Sequence, residues 1–241
     1  STIRYAEVVE KLGSLGIDVE DLGDITIGRP EQLAASETKL NNLKEVTVGS
    51  RVLAEKVDAI LGKNSFPLVL GGDHSIAIGT LAGASKHYEN LGVIWFDAHG
   101  DLNTDETTPS GNIHGMSLAV SIGLGNDGLV NIHGYSPKIK PENIVIIGAR
   151  SLDEGERELI RSKEIKVFSM HEIDRRGMAA VMEETIAFFK DKTDGVHLSV
   201  DMDALDPIDA PGVGTPVLGG ITYRESHLAM EMLSESGIVT S

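Results

Sequence analysis

Short apolar runs rich in β-branched residues recur along the chain: FPLVL at 66–70, GVIWF at 92–96, NIVIIG at 143–148, IKVF at 165–168 and VHLSV at 196–200. Their length and composition predict strands. Between most of them lie amphipathic segments of helical length, at 40–61, 75–88, 155–163, 178–190 and 223–236. Such alternation predicts βαβ units. Because the strands are apolar almost throughout, their sheet is expected to be buried on both faces. The expected fold class is therefore α/β, a three-layer α-β-α sandwich around a mainly parallel sheet. No Pro/Ser-rich linker, low-complexity tract or repeat interrupts the pattern, so a single domain is expected over 1–241.

Two connections are long and polar, 101–113 and 203–220, and each follows a predicted strand. In open parallel sheets ligands bind beyond the carboxyl ends of the strands, which directs attention to these loops. The stretch IWFDAHGDLN at 94–103 places Asp97, His99 and Asp101 directly behind apolar Ile94, Trp95 and Phe96. Along an extended chain, residues two apart share a side, so the three side chains are expected to converge. Asp201 and Asp203 in SVDMDALDP follow VHLSV in the same way, and LGGDHS contributes Asp73 and His74 after two glycines. A lone Asp-x-Asp or strand-end His is commonly a turn or a helix cap. Three such elements at strand ends point instead to a cation site, because carboxylates gathered in one crevice repel unless something neutralises them.

The 241 residues contain no cysteine, which removes disulfides, zinc-thiolate sites and a cysteine nucleophile together. Any metal must be held by oxygen and nitrogen. Carboxylates mixed with imidazoles favour Mn²⁺, with Fe²⁺, Co²⁺ and Zn²⁺ as competitors, and two His ligands argue against Ca²⁺. Two divalent ions would offset Asp97, Asp101, Asp201 and Asp203 and would lower the pKa of a shared water, which suggests hydrolysis. The formal net charge of −16 opposes nucleic-acid and anionic-membrane partners. There is no apolar run of ~18 residues and no basic-then-apolar leader, so a soluble, cytoplasmic protein is expected.

Five motifs in order, GGDHS (71–75), DAHGDLN (97–103), SGNIHG (110–115), SVDMDALDP (199–207) and GTPVLGGITYRE (214–225), closely resemble the ureohydrolases, and within them the bacterial arginases. The resemblance runs over nearly the whole chain and implies an arginase-like fold. It implies that His74, Asp97, His99, Asp101, Asp201 and Asp203 hold two Mn²⁺ ions. Asp97 and Asp201 would bridge them, His74 and Asp101 would complete one site, and His99 and Asp203 the other. A bridging hydroxide would attack the guanidinium carbon of L-arginine, giving L-ornithine and urea. His114 would shuttle protons, Glu225 would pair with the guanidinium group, and Asp101 would serve catalysis as well as metal. Asn103, Ser110 and Asn112 would bind the α-carboxylate and Asp153 the α-ammonium group. Thr215 would belong to the substrate side of the site, and with Asp73 it would stand behind the ligands rather than on metal. The resemblance further implies a homotrimer or homohexamer, and a longer chain with a first strand before Ser1 and a last strand and helix after Ser241.

Several of these residues have simpler roles open to them. Ser110 to Asn112 suits a polar turn, Asp153 a helix N-cap with Glu156 completing a capping box, and Glu225 a first-turn helix charge. His197 reads as a satisfied core histidine, and His133, His171 and His227 as structural or exposed. The alternative activities are an agmatinase or another hydrolase of guanidino substrates, which would share the metal ligands and Glu225, and a non-catalytic metal- or arginine-binding relative. The partners of an α-carboxylate and α-amino group separate arginine from agmatine, which lacks the carboxylate. No P-loop lysine signature or G-x-S-x-G elbow is present.

Overall fold

The structure, a computed structural model, describes residues 6–27 and 39–241. The chain divides into two compact units, Ser1–Leu33 and Ala34–Ser241. Among its described residues, the first unit holds one helix, α1 (Val8–Ser14).

The second unit carries the sheet. In chain order its elements are α2 (Leu43–Leu61), α3 (Ile76–Ala84), β1 (Leu91–Phe96), α4 (Ser117–Ser121), α5 (Asp127–Val130), β2 (Ile144–Ala149), α6 (Glu154–Ser162), β3 (Lys166–Ser169), α7 (Met170–Arg176), α8 (Met178–Phe189), β4 (Gly195–Val200) and α9 (Tyr223–Ser236). The strand order is β3-β2-β1-β4 and every pairing is parallel. Parallel strands need crossover connections, and the intervening helices supply them. Beside β4 the chain returns at 239–241: Val239 bridges Val196, and the Leu198 amide donates to the Ser241 carbonyl at 2.9 Å.

Alternation along the strands sorts the two faces. Ile94, Phe96, Val145, Ile147, Phe168 and Val196 join one core with Val181, Met182 and Phe189 of α8 and Ala229 and Leu233 of α9. His197 and Ser199 point the other way, toward α3, where Thr80 lies 3.5 Å from His197 and His74 lies 2.8 Å from Ser199. A further apolar cluster joins Ala54 of α2 to Ile78 and Ala82 of α3 and to Met116 and Val120. The three-layer arrangement expected from the apolar strands is thus present.

One predicted strand is absent. Residues 66–70 have no strand pairing, and Phe66, Leu68 and Leu70 are exposed. A strand exists only with a neighbour to take its amides and carbonyls, and among the described residues this run has none. The remaining predicted strands fall within one residue of their observed bounds, and in the central pair, β1 and β2, every residue is buried. Short α4, α5 and α7 were not anticipated, since four to seven residues hold too few turns for a 3.6-residue period to register. Among the described residues, no helix is long and apolar enough to cross a membrane.

Helices α2 and α3 cross at glycines. A Cβ on Gly83 would lie 2.4 Å from the Ala54 carbonyl oxygen, and one on Gly79 would lie 2.8 Å from that of Ser50. Substituting Gly83→Ala is expected to cost about 1–3 kcal/mol in chemical denaturation. Gly115→Ala, where a Cβ meets nothing within 4 Å, provides the comparison.

Candidate metal centre

The site forms where β1 and β4 end side by side. Their register pairs Trp95 with Ser199 and Phe96 with Val200, so Asp97 and Asp201 emerge next to each other, and the Asp201 amide donates to the Phe96 carbonyl at 2.9 Å. His74 arrives one residue before the Ser75 N-cap of α3. Its ring stacks on Trp95 with centroids 3.9 Å apart, and its Nε2 lies 2.8 Å from Ser199 Oγ. Both contacts aim Nδ1 into the carboxylates.

Three of those converge on that one nitrogen: Asp97 Oδ2 at 2.8 Å, Asp101 Oδ2 at 3.1 Å and Asp201 Oδ2 at 3.5 Å. A second set adjoins the first, with His99 Nδ1 at 3.3 Å from Asp97 Oδ1 and 3.1 Å from Asp203 Oδ2. His74, Asp97 and Asp101 therefore form one group able to hold a metal ion, and Asp97, His99 and Asp203 form another, with Asp97 common to both.

Residues 97–101 are not extended as expected. The strand stops at Phe96, and Asp101 takes φ +51°, a left-handed conformation uncommon for any residue with a Cβ. The turn is held by its backbone, since the Asp101 carbonyl accepts from the Leu118 and Ala119 amides at 3.0 and 3.1 Å. It brings Asp101 to His74 rather than to His99. Asp97 is placed by the β1–β4 register, whereas this turn, and not alternation along a strand, sets Asp101.

The donor set fits a cation on physical grounds. Asp101 Oδ2 is buried and is the one buried side-chain oxygen or nitrogen, among the described residues, with no hydrogen-bond partner. One imidazole proton cannot serve three carboxylates, whereas a divalent ion at the same place can. Burial, reinforced by the Asp97 charge, pushes the Asp101 carboxyl up to about 8. Burial opposes charge on His74, yet Asp101 and Asp97 outweigh it and raise the imidazole to about 10. Asp203 and Asp97 raise His99 to about 10 as well. Asp97 goes the other way: burial would raise it, but His74 and His99 hold it well below the usual carboxylate range.

Surrounding groups fix the donors. Trp95 Nε1 donates to Asp97 Oδ2 at 3.1 Å. The Ala98 amide donates to Asp203 Oδ1 at 3.2 Å and Thr215 Oγ1 to Asp203 Oδ2 at 2.9 Å. Asp201 caps the 3-10 turn Met202–Ala204 by accepting from the Asp203 amide at 2.9 Å. Buried Glu156 accepts from the Leu102 amide at 3.1 Å, tying α6 to the ligand-bearing loop.

The remaining predicted site residues fall into small groups. Asn103 Nδ2 donates to Asp153 Oδ2 at 2.8 Å. Asp153 is also the N-cap of α6 with Glu156 completing a capping box, so its simpler role is present alongside. Ser110 Oγ accepts from the Asn112 amide at 3.2 Å, and Asn41 Nδ2 reaches the Ser110 carbonyl at 3.2 Å and Asn112 Oδ1 at 2.8 Å. Gly111 takes φ +77° between them, where a Cβ would sit 2.3 Å from the Lys39 carbonyl oxygen. His114 Nδ1 lies 3.7 Å from Asp73 Oδ2, which raises its basicity. Glu225 completes the capping box of α9, its Oε2 accepting from the Thr222 amide at 2.9 Å. His197 is buried between Ser241 and Thr80, and burial lowers it to about 4, in keeping with a neutral core histidine. His133 lies 2.9 Å from Asp58 in a separate surface cluster.

Sequence reasoning missed the supporting role of Trp95 and Ser199, and it missed Asn41 altogether. A Trp two residues before a strand-end Asp is a signal for the first, while Asn41 lies 69 residues from Ser110 and carries none.

A parallel sheet with two overlapping His–Asp donor groups at its strand ends defines a metal-binding α/β protein. The sequence model of the arginase family matches residues 1–241. The arginase of Bacillus caldovelox is 65% identical over 242 residues, covering 100% of this chain and 81% of that protein. The structure of an arginase from Bacillus subtilis matches with a TM-score of 0.95 at 64% identity, covering 99% of this chain and 80% of that one. An Entamoeba histolytica arginase in complex with L-ornithine matches with a TM-score of 0.82 at 39% identity, covering 90% and 74%. The chain belongs to the arginase family.

Because neighbouring carboxylates raise the imidazoles of His74 and His99, and burial raises Asp101, the metal-free site holds protons that a bound cation must displace. Affinity for Mn²⁺ is therefore expected to rise with pH toward 8–10 and to weaken by about tenfold per pH unit below that for each proton displaced. Calorimetric titrations at pH 6 and 8 in buffers of different ionisation enthalpy should detect both the weakening and the released protons.

Proposed function

We propose that the protein hydrolyses L-arginine to L-ornithine and urea at a centre of two manganese ions. His74 and Asp101 would hold one, His99 and Asp203 the other, with Asp97 and Asp201 shared. The observation that carries this reading is the crowding of Asp97, Asp101 and Asp201 within 3.5 Å of His74 Nδ1, beside a second group that reuses Asp97. Carboxylate and imidazole donors without thiolate suit Mn²⁺. When bound, the ions would lower the pKa of water enough to supply a nucleophile near neutral pH.

The chain's own residues do the rest. Glu225, with one oxygen engaged by Thr222, presents its other oxygen to the planar guanidinium group. The Asn103–Asp153 pair binds the amino-acid end of the substrate, Asp153 taking the α-ammonium group. Ser110 and Asn112, set on the turn that Asn41 braces, take the α-carboxylate with Asn103. His114, half-exposed on the 3-10 turn Ile113–Met116, carries a proton between solvent and the departing amine. Asp101 keeps its catalytic part through the metal it holds. The family resemblance supports a cytoplasmic homotrimer or homohexamer, which sedimentation of the purified protein would check.

Urea release from L-arginine and from agmatine, together with metal analysis, tests the proposal. Agmatine is expected to have a kcat/KM lower by about 10²-fold or more, because polar groups built for the α-carboxylate are left unpaired. Comparable turnover of the two substrates would overturn the choice of arginine. Asp97→Ala should lose bound metal and turnover together. His114→Ala should retain both ions while kcat falls by about 10²–10⁴.

A further inference from the structure

Arg150 leaves the end of β2 and turns its half-buried guanidinium into a cage of backbone carbonyls. Nη2 donates to Val217 at 2.6 Å, Asp203 at 2.8 Å and Leu205 at 3.2 Å; Nη1 donates to Ala204 at 2.9 Å and Gly148 at 3.4 Å; Nε donates to Val217 at 3.2 Å. Five carbonyls accept from the cation and no carboxylate does, although the charges of Asp203, Asp206 and Asp97 act on it from nearby. An arginine serving charge balance would take a carboxylate in a bidentate pair. Here the rigid fork of donors is spent on main chain, and that main chain has two particular tasks.

The first is to carry Asp203. Its carbonyl is held by Arg150, while its carboxylate accepts from the Ala98 amide and Thr215 and lies 3.1 Å from His99 Nδ1. The second is to deliver Thr215, two residues before the Val217 carbonyl that Arg150 grips twice. Asp206 holds the far end of the same loop, accepting from the Gly219 and Gly220 amides at 2.8 and 3.1 Å. Gly220 packs against the cage, since a Cβ there would lie 2.6 Å from Arg150 Nη2. No other side chain in the structure ties β2, the 202–204 turn and the 205–220 loop together in this way among the described residues.

We infer that Arg150 is a positioning residue for one half of the metal centre: by clamping the carbonyls of Asp203, Ala204, Leu205 and Val217, it aims Asp203, with Thr215 hydrogen-bonded behind it, at the ion shared with His99. The inference rests on the two-ion reading and adds an asymmetry to it. His74 and Asp101 come from the residue before the α3 cap and from the 97–101 turn; none of the clamped carbonyls is theirs, and the one contact of Arg150 with that turn, its main-chain amide donating to the Ala98 carbonyl at 2.9 Å, is kept when the side chain is replaced. Lysine cannot replace the arginine, because a single ammonium group reaches fewer carbonyls and lacks the planar fork.

The test uses the full chain stripped of metal and titrated calorimetrically with Mn²⁺ alone, comparing the parent, Arg150→Met, Arg150→Lys and His99→Ala. In Arg150→Met one ion should bind as in the parent, while the other weakens by about 10–100-fold, as expected when a group behind a ligand is removed. The weakened ion should be the one that His99→Ala also weakens, with Arg150→Lys intermediate. Parent-like binding of both ions in the arginine variants, or parallel weakening of both, would overturn the inference, since a general stabilising role predicts no asymmetry. If Arg150→Met does not fold, Arg150→Lys decides by the same criterion. A parent that binds fewer than two ions defeats the two-ion reading itself. A parent that binds two but releases no urea defeats only the proposed activity.

Discussion

Repulsion among carboxylates placed around His74 and His99 is the constraint to which the rest of the structure answers. Asp97, Asp101 and Asp203 are buried, and Asp201 stands at their edge. Charges held this close in a poorly solvated pocket cannot all stay ionised alone, so they either share protons with the imidazoles or take up a cation. The raised basicity of His74 and His99 and the reluctance of Asp101 to ionise express the first solution. A metal offers the second. Both need the same side-chain placement, which is why the donors are braced by groups that do not themselves change charge: Trp95, Ser199, Thr215 and the Ala98 amide.

The sheet makes this crowding possible. Parallel strands deliver all their carboxyl ends to one rim, and the β1–β4 register sets Asp97 beside Asp201 without help from any side chain. The rim is then closed from three directions. The turn leading into α3 supplies His74 over Trp95, α6 holds the 97–103 loop through Glu156, and β2 sends Arg150 to the 202–204 turn. Each support reaches backbone or a ligand's outer atom, so the geometry is carried by hydrogen bonds to groups whose own positions the core already determines.

Dual use of residues recurs around this rim. Asp153 caps α6 and holds Asn103, Glu225 closes the capping box of α9, and Asp201 caps the turn that carries Asp203. A cap is a rigid place for a carboxylate, because the helix end satisfies one oxygen and leaves the other with a defined direction. For these residues the structural and functional readings of the sequence are not rivals.

Taken alone, the sequence determined the layered α/β class, four of the strands and the residue types of the centre, because a doubly covered strand must be apolar and a strand-end Asp or His has no place in that pattern. The likeness of five motifs to the arginases added the roles. Only the tertiary structure decided that Asp101 approaches His74 by a left-handed turn and not along an extended strand, that 66–70 forms no strand, and that Arg150 and Asn41 brace loops far from them in sequence. Local pattern reports which face a side chain prefers. It says nothing of which distant carbonyl or carboxylate a given donor will meet, since that depends on how separate elements pack.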